Sequence, residues 1–213
     1  MTPIGRRLEI PAALVPGVVL IVALAASGTA PWGVPAQAGT TEQGGTCADV
    51  DGGFKPSSLA IDGVVGSTSV LALGQDRYGV PRPPPLTERG KWQFAWDRAS
   101  AVRPGSPQGV VRLTAHTYPR NGSHGLALGN RLLARLRTGA SLKVSGPAGE
   151  RLCYQVTRRV EVPANASLSG YYETTGAPRL AILVCSGTRR GPGDWSHRTI
   201  WYAEPTPSVT QRG

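Results

Sequence analysis

Apolar residues in this chain come in short runs punctuated by glycine and proline, and most of these runs have the length and alternation of strands. The first two are Ser58 to Val64 and Thr68 to Leu73. A polar, proline-rich stretch through Pro81 to Pro85 follows; no interior strand tolerates it, because proline lacks the ladder donor, so a surface loop is expected. Trp92, Phe94 and Trp96 alternate, and a strand there puts three aromatic rings on one face as a core-facing stripe. Val110 to His116 predicts another strand, with His116 at its end. Leu126 to Leu136 is the best helix candidate, with Leu128, Leu132, Leu133 and Leu136 at helical spacing and Gly139 as a stop. Ser141 to Ser145 and Arg151 to Val162 predict a hairpin that turns at Gly146 to Gly149. In its longer arm Leu152, Tyr154, Val156, Val160 and Val162 are expected on one face, with Arg158 as an exception and Cys153 on the other face. Leu180 to Cys185 is apolar at every position, as a fully buried strand is. A polar loop from Thr188 to Trp195 and a last strand, Thr199 to Ala203, complete the pattern. Some eight short strands with little helix predict a mainly β domain, a closed barrel or a sandwich.

The N-terminus differs from all of this. Arg6 and Arg7 precede an almost unbroken apolar stretch, Ile10 to Ala26, and a helix running to about Pro31 approaches the ~30 Å hydrocarbon core of a bilayer. The flanking arginines favour an orientation with the tip in the cytoplasm and the rest of the chain outside. Ala36-Gln37-Ala38 also fits a signal-peptidase site, but the spacer before it is long and holds Pro31 and Pro35, which favours an uncleaved anchor. Either reading exports the body of the protein. The expected organisation is an anchor over 1–31, a Gly-, Thr- and Ala-rich spacer over 32–54, a folded domain over 55–205 and a polar tail over 206–213. The localisation that follows is the plasma membrane, single-pass, with the folded domain extracytoplasmic.

Charge narrows the partners. The 213 residues carry 23 Lys plus Arg against 13 Asp plus Glu, a net charge of +10, which suits an anionic surface such as a cell envelope. The arginines are scattered and form no basic run of the kind used as a nucleic-acid tail, so no nucleic-acid partner is expected. Acidic residues form no cluster of oxygen ligands for calcium, and no Cys or His pair has zinc-ligand spacing; no metal or other cofactor is expected.

Three cysteines in an exported chain leave one unpaired. Cys47, in the spacer, and Cys153, on a polar strand face, are the candidate pair, with Cys185 as the leftover; the sequence leaves open whether the two are bridged. Cys185 ends a buried strand just before a polar loop, where a thiol emerges into solvent. A thiol attacks a carbonyl as thiolate, which calls for an imidazole or another positive charge nearby and a donor aimed at the developing oxyanion. His116, His124 and His197 are the candidate bases, His116 being preferred because it also closes a strand. Arg198, at the start of the last strand, cannot act as a base, but its guanidinium fork suits an oxyanion.

The order of His, Cys ending an apolar strand, and Arg beginning the next resembles the sortases. The likeness extends through LAIDGV (59–64), FAW (94–96), PGSPQGVVRLTAHTYP (104–119), LCYQVTRRVEV (152–162), RLAILVC (179–185) and SHRTIWYAEP (196–205), and is most similar to the class F sortases of actinobacteria. The resemblance implies a closed eight-stranded sortase-type β-barrel with one or two short helices, and a catalytic triad of His116, Cys185 and Arg198. It further implies cleavage of an LPXTG-like sorting signal on secreted proteins, a thioester on Cys185, and transfer to an amine of a peptidoglycan precursor or a pilin. The chain departs from the family's TLxTC motif, having Ala181, Ile182, Leu183, Val184 and Cys185, so both threonines are missing. Among rival enzymes, the SHGC signature of L,D-transpeptidases is approached by Ser123, His124 and Gly125, but Leu126 stands where the nucleophile belongs. Papain-like peptidases place the cysteine before the histidine, the reverse of the order here. The non-enzymatic alternative is an exported β-barrel module that binds the anionic envelope, with Cys185 as a packed core residue.

Overall fold

The computed structural model describes residues 47–207 apart from Asp49 and Asp51; the apolar segment Ile10 to Ala26 and the end of the tail lie outside the described residues. Eight strands close into a barrel. In chain order they are β1 (Ser58–Ile61), β2 (Val65–Leu73), β3 (Phe94–Asp97), β4 (Val110–Ala115), β5 (Ser141–Ser145), β6 (Arg151–Pro163), β7 (Arg179–Gly191) and β8 (Asp194–Pro205). Around the barrel they run β1-β2-β3-β4-β7-β8-β6-β5, and β5 returns to β1. Closure leaves no free sheet edge, which is how a chain of short strands avoids edge-to-edge pairing. The pairs β2–β3 and β4–β7 are parallel and the rest antiparallel. Two helices complete the domain, α1 (Leu128–Arg135) and the single turn α2 (Ser169–Tyr172). The expected mainly β, closed eight-stranded barrel is therefore present.

Alternation sorts each strand's side chains between the barrel interior and its outer surface. Leu59, Phe94, Leu113, Leu142, Ile182, Val184 and Trp201 fill the interior, where Leu128, Leu132 and Leu136 from the helix segment join them. A second, smaller cluster lies outside the barrel, where α2 presses Tyr171 against Val110, Ala181 and Ile200. Strand β4 is buried at every position and the Leu180–Val184 part of β7 is covered on both faces, which explains the apolar run there. On the outer face of β3 and β4, Asp97 and Arg112 form a buried ion pair at 3.4 Å, and Gln75 Nε2 donates to the same carboxylate at 2.8 Å.

Four elements differ from the pattern read along the chain. The aromatic stripe is cut short: Phe94 and Trp96 face the core, but Trp92 ends a 3-10 turn, Gly90–Trp92, outside β3. A β-bulge between Val156 and Arg158 reverses the alternation of β6, so Val156 faces the interior while Val160 packs on the outer cluster. The polar stretch after Cys185 is no loop: β7 continues to Gly191 and β8 begins at Asp194, and the two form a ribbon that turns at Pro192 and Gly193. The expected helix is present but shorter: a 3-10 turn over Gly122–Leu126 precedes it, and α1 runs from Leu128 to Arg135.

The chain ahead of β1 is tied to the barrel at its base. Cys47 is disulfide-bonded to Cys153, Ala48 N donates to the Arg151 carbonyl at 3.2 Å, and Phe54 is buried in the core.

Candidate active site

Register places the site. In the parallel β4–β7 pair Ala115 lies opposite Val184, so the next residues, His116 and Cys185, emerge together at the same end of the sheet. In the antiparallel β7–β8 pair Cys185 lies directly opposite Arg198. All three line one cleft of ≈ 400 Å³. Its walls are largely apolar, with Val80, Pro81, Pro83 and Leu86 on one side and Leu183 and Trp195 among the residues opposite. His124 and His197 are not among its lining residues. His124 instead packs edge-on against Tyr118, and His197 Nδ1 is hydrogen-bonded to Ser196 Oγ at 2.8 Å.

The backbones of His116 and Cys185 and the side chain of Arg198 are held by their neighbours. The His116 carbonyl accepts from Gly129 N of α1 at 3.0 Å, and the next residue, Thr117, donates its hydroxyl to the Cys185 carbonyl at 2.6 Å. The histidine segment is therefore pinned on one side to α1 and on the other to the cysteine's own backbone. Buried Asn130 clamps the chain beyond: its Oδ1 accepts from Tyr118 N, and its Nδ2 donates to the Tyr118 and His124 carbonyls. Arg198 Nη1 donates to the carbonyls of Trp195 and His197 at 3.2 and 2.9 Å, which holds the guanidinium against the backbone of β8, and its charge acts on Cys185, its cross-strand partner.

Burial governs the protonation of the pair. It pushes the Cys185 thiol above its ordinary value of 9.0, and the nearby Arg198 charge offsets part of that rise. It likewise pushes the His116 imidazole below 6.5, the backbone of Pro84 opposing the shift by favouring the protonated ring. At neutral pH the resting site is thus a thiol beside a neutral imidazole, and the thiolate–imidazolium form is the minor one.

No protein-family description and no curated protein matches the chain, but solved structures do. The complex of Streptococcus agalactiae sortase C1 and MTSET is 16% identical, with a TM-score of 0.53 over 74% of this chain and 72% of that one. Sortase C1 from the same species gives 16% and 0.52 over 73% and 69%, and its lid mutant 16% and 0.51 over 71% and 68%. The chain has the sortase fold. In this barrel Val184, the residue before Cys185, is fully buried among core residues.

His116, Cys185 and Arg198 are the residues that the sequence points to, and the cleft has another wall that the pattern along the chain does not mark. Pro81 to Pro85 is a loop as expected, yet Pro81 and Pro84 are buried, and the segment lies along the cleft instead of standing free in solvent. Asn130 and Gly129, which hold the His116 segment, belong to no motif. A polar residue and a glycine early in a leucine-rich helix were the available signals, since neither improves the helix and each therefore points to a contact.

Proposed function

We propose that the chain is an extracytoplasmic cysteine transpeptidase of sortase type, most similar to class F, which cleaves an LPXTG-like sorting signal and passes the acyl group to an amine of the cell envelope. The observation that carries this is the convergence of His116, Cys185 and Arg198 on a single apolar cleft. A further pocket of ≈ 480 Å³, lined by Leu168, Tyr171 and Tyr172, shares Val80, Pro81, Thr114, Leu183 and Arg198 with that cleft, giving an extended peptide an apolar track that leads to the thiol.

In the first half-reaction the Cys185 thiolate attacks the carbonyl carbon of the Thr–Gly bond. The Arg198 guanidinium lies beside the thiol and stabilises the oxyanion. As the intermediate collapses, the C–N bond breaks and protonated His116 gives its proton to the leaving amine. In the second half-reaction an acceptor amine attacks the thioester, His116 takes its proton, and the C–S bond breaks to return the thiolate. In this proposal residues 1–31 anchor the protein as a single span, 32–54 form a spacer, and 55–205 carry the catalysis outside the membrane. Secreted proteins with the sorting signal are the donors, and a peptidoglycan precursor or a pilin lysine is the acceptor.

The test is chromatography of LPXTG-like peptides incubated with full-length protein in detergent, with triglycinamide as acceptor. Cleaved and transferred products are expected from the natural sequence and from neither Cys185→Ala nor His116→Ala. Cleavage that survives Cys185→Ala sinks the proposal. So does the absence of product from a folded protein with every such peptide, and that result turns attention to an envelope-binding module.

A further inference from the structure

Across β7 from the thiol lies a second cleft of ≈ 630 Å³ that the donor reaction does not use. Cys185 and Ser186 are consecutive in a strand and so point to opposite sides, and Ser186 lines this second space. The two clefts share a rim of Thr117, Pro119, Arg189 and Trp195, which makes them neighbours, and Thr117 on that rim is bonded to the Cys185 carbonyl. Their chemistry differs. Beside its reactive residues the first is walled by prolines, valine and leucine, whereas the second adds Arg120, Arg159, Glu161 and Ser186 to the shared Arg189.

The polar groups here are unequally used. Glu161 pairs with Arg159 at 2.8 Å and accepts from Thr199 at 3.3 Å, so its charge and that of Arg159 cancel. Arg120 and Arg189 are exposed and make no ion pair among the described residues, leaving two positive charges facing the space. Ser186 is 2% exposed, and its Oγ has no hydrogen-bond partner. A buried hydroxyl left unpaired in a fully folded core is costly, and a ligand acceptor oxygen relieves that cost.

We propose that this second cleft binds the incoming acceptor, and that it selects an amine carrying an anionic oxyanion group, a carboxylate or a phosphate. The inference rests on the transpeptidase reading above and names the acceptor's chemistry. Arg120 and Arg189 hold the anion and Ser186 donates to it, while the amine lies at the shared rim facing the Cys185 thioester. The amine nitrogen forms the new C–N bond, the C–S bond breaks, and the amine proton leaves through His116.

Two matched pairs of acceptors test it on full-length protein acylated from an LPXTG-like peptide: triglycine against triglycinamide, and O-phosphoethanolamine against ethanolamine. Within each pair the ratio of kcat/KM cancels any change in acylation. A preference of about tenfold for at least one charged acceptor is expected, equivalent to one good charge-assisted contact. It should fall towards one in the Arg120→Gln/Arg189→Gln protein and in high salt, and Ser186→Ala should lower it in part. The pair that shows the preference identifies carboxylate or phosphate. Ratios near one for both pairs overturn the inference, as does a preference untouched by the double substitution. Failure to acylate at all would remove the transpeptidase reading first, and this inference with it.

Discussion

Gly129→Ala sets helix propensity against the positioning of His116. Gly129 lies in α1 and is fully packed. A Cβ there would sit 2.3 Å from the His116 carbonyl oxygen, 2.7 Å from its carbon and 2.8 Å from Thr117 Oγ1. Ordinary non-bonded contact needs about 1 Å more. Helix α1 cannot retreat freely, because Leu128 and Leu132 are completely buried in the barrel core. The histidine segment must therefore move, straining the Gly129 N–His116 O bond and the Thr117–Cys185 bond together. Alanine gains about 1 kcal/mol over glycine inside a helix. Overpacking costs about 1–3 kcal/mol, and the lost hydrogen bond about 1 kcal/mol more. The net expectation is a protein about 1–3 kcal/mol less stable in urea denaturation. A displacement of the base on this scale costs acylation about 100-fold. Gly66→Ala, where a Cβ meets nothing within 4 Å, is the control and should leave both quantities near those of the natural protein. A Gly129→Ala protein that is more stable and acylates normally refutes the reasoning, because it means α1 does not hold His116 in place.

Three more predictions follow from other parts of the molecule. Reducing the Cys47–Cys153 bridge, which spans 106 residues, should lower stability by about 2–4 kcal/mol in urea titrations with and without reductant; an unchanged midpoint contradicts it. Asp97→Ala strands Arg112, whose side chain is only 5% exposed, and should cost about 3–5 kcal/mol, whereas adding Arg112→Met should recover most of that loss. The pH profile of kcat/KM should be bell-shaped, since the reactive form needs Cys185 deprotonated and His116 protonated: activity rises with pH up to a limb below 6.5, set by the imidazole, and falls beyond a limb above 9.0, set by the thiol. Even the ordinary values leave only about 0.3% of molecules in the reactive form, so a profile without an alkaline limb contradicts the assignment.

Much of the barrel was legible because its strands are short, apolar and bounded by glycine or proline, as at Ser141–Ser145, which the pattern places to the residue. The position of His116 just past the end of β4 could be read in the same way, whereas Cys185 lies within β7, which runs on to Gly191. Their proximity could not be read, because it depends on the parallel pairing of β4 with β7, and these strands are separated by the whole of β5 and β6. The ribbon after Cys185 escaped notice because its residues are mostly exposed and polar, so backbone pairing alone makes it a strand. The bulge in β6 is invisible in composition, and Arg158 was its one trace, the residue that broke the alternation. The wall formed by Pro81 to Pro85 was read correctly as a loop, but nothing local says what a loop will lie against.

The central claim is that Cys185 forms a thioester. Full-length protein is mixed with an LPXTG-like peptide, quenched in acid and weighed intact, followed by mapping of the modified peptide. The account predicts an adduct with the mass of the donor's acyl portion on Cys185, absent from Cys185→Ala and discharged by an added amine. A folded protein that cleaves the peptide with no adduct at Cys185, or with one on another residue, would contradict it.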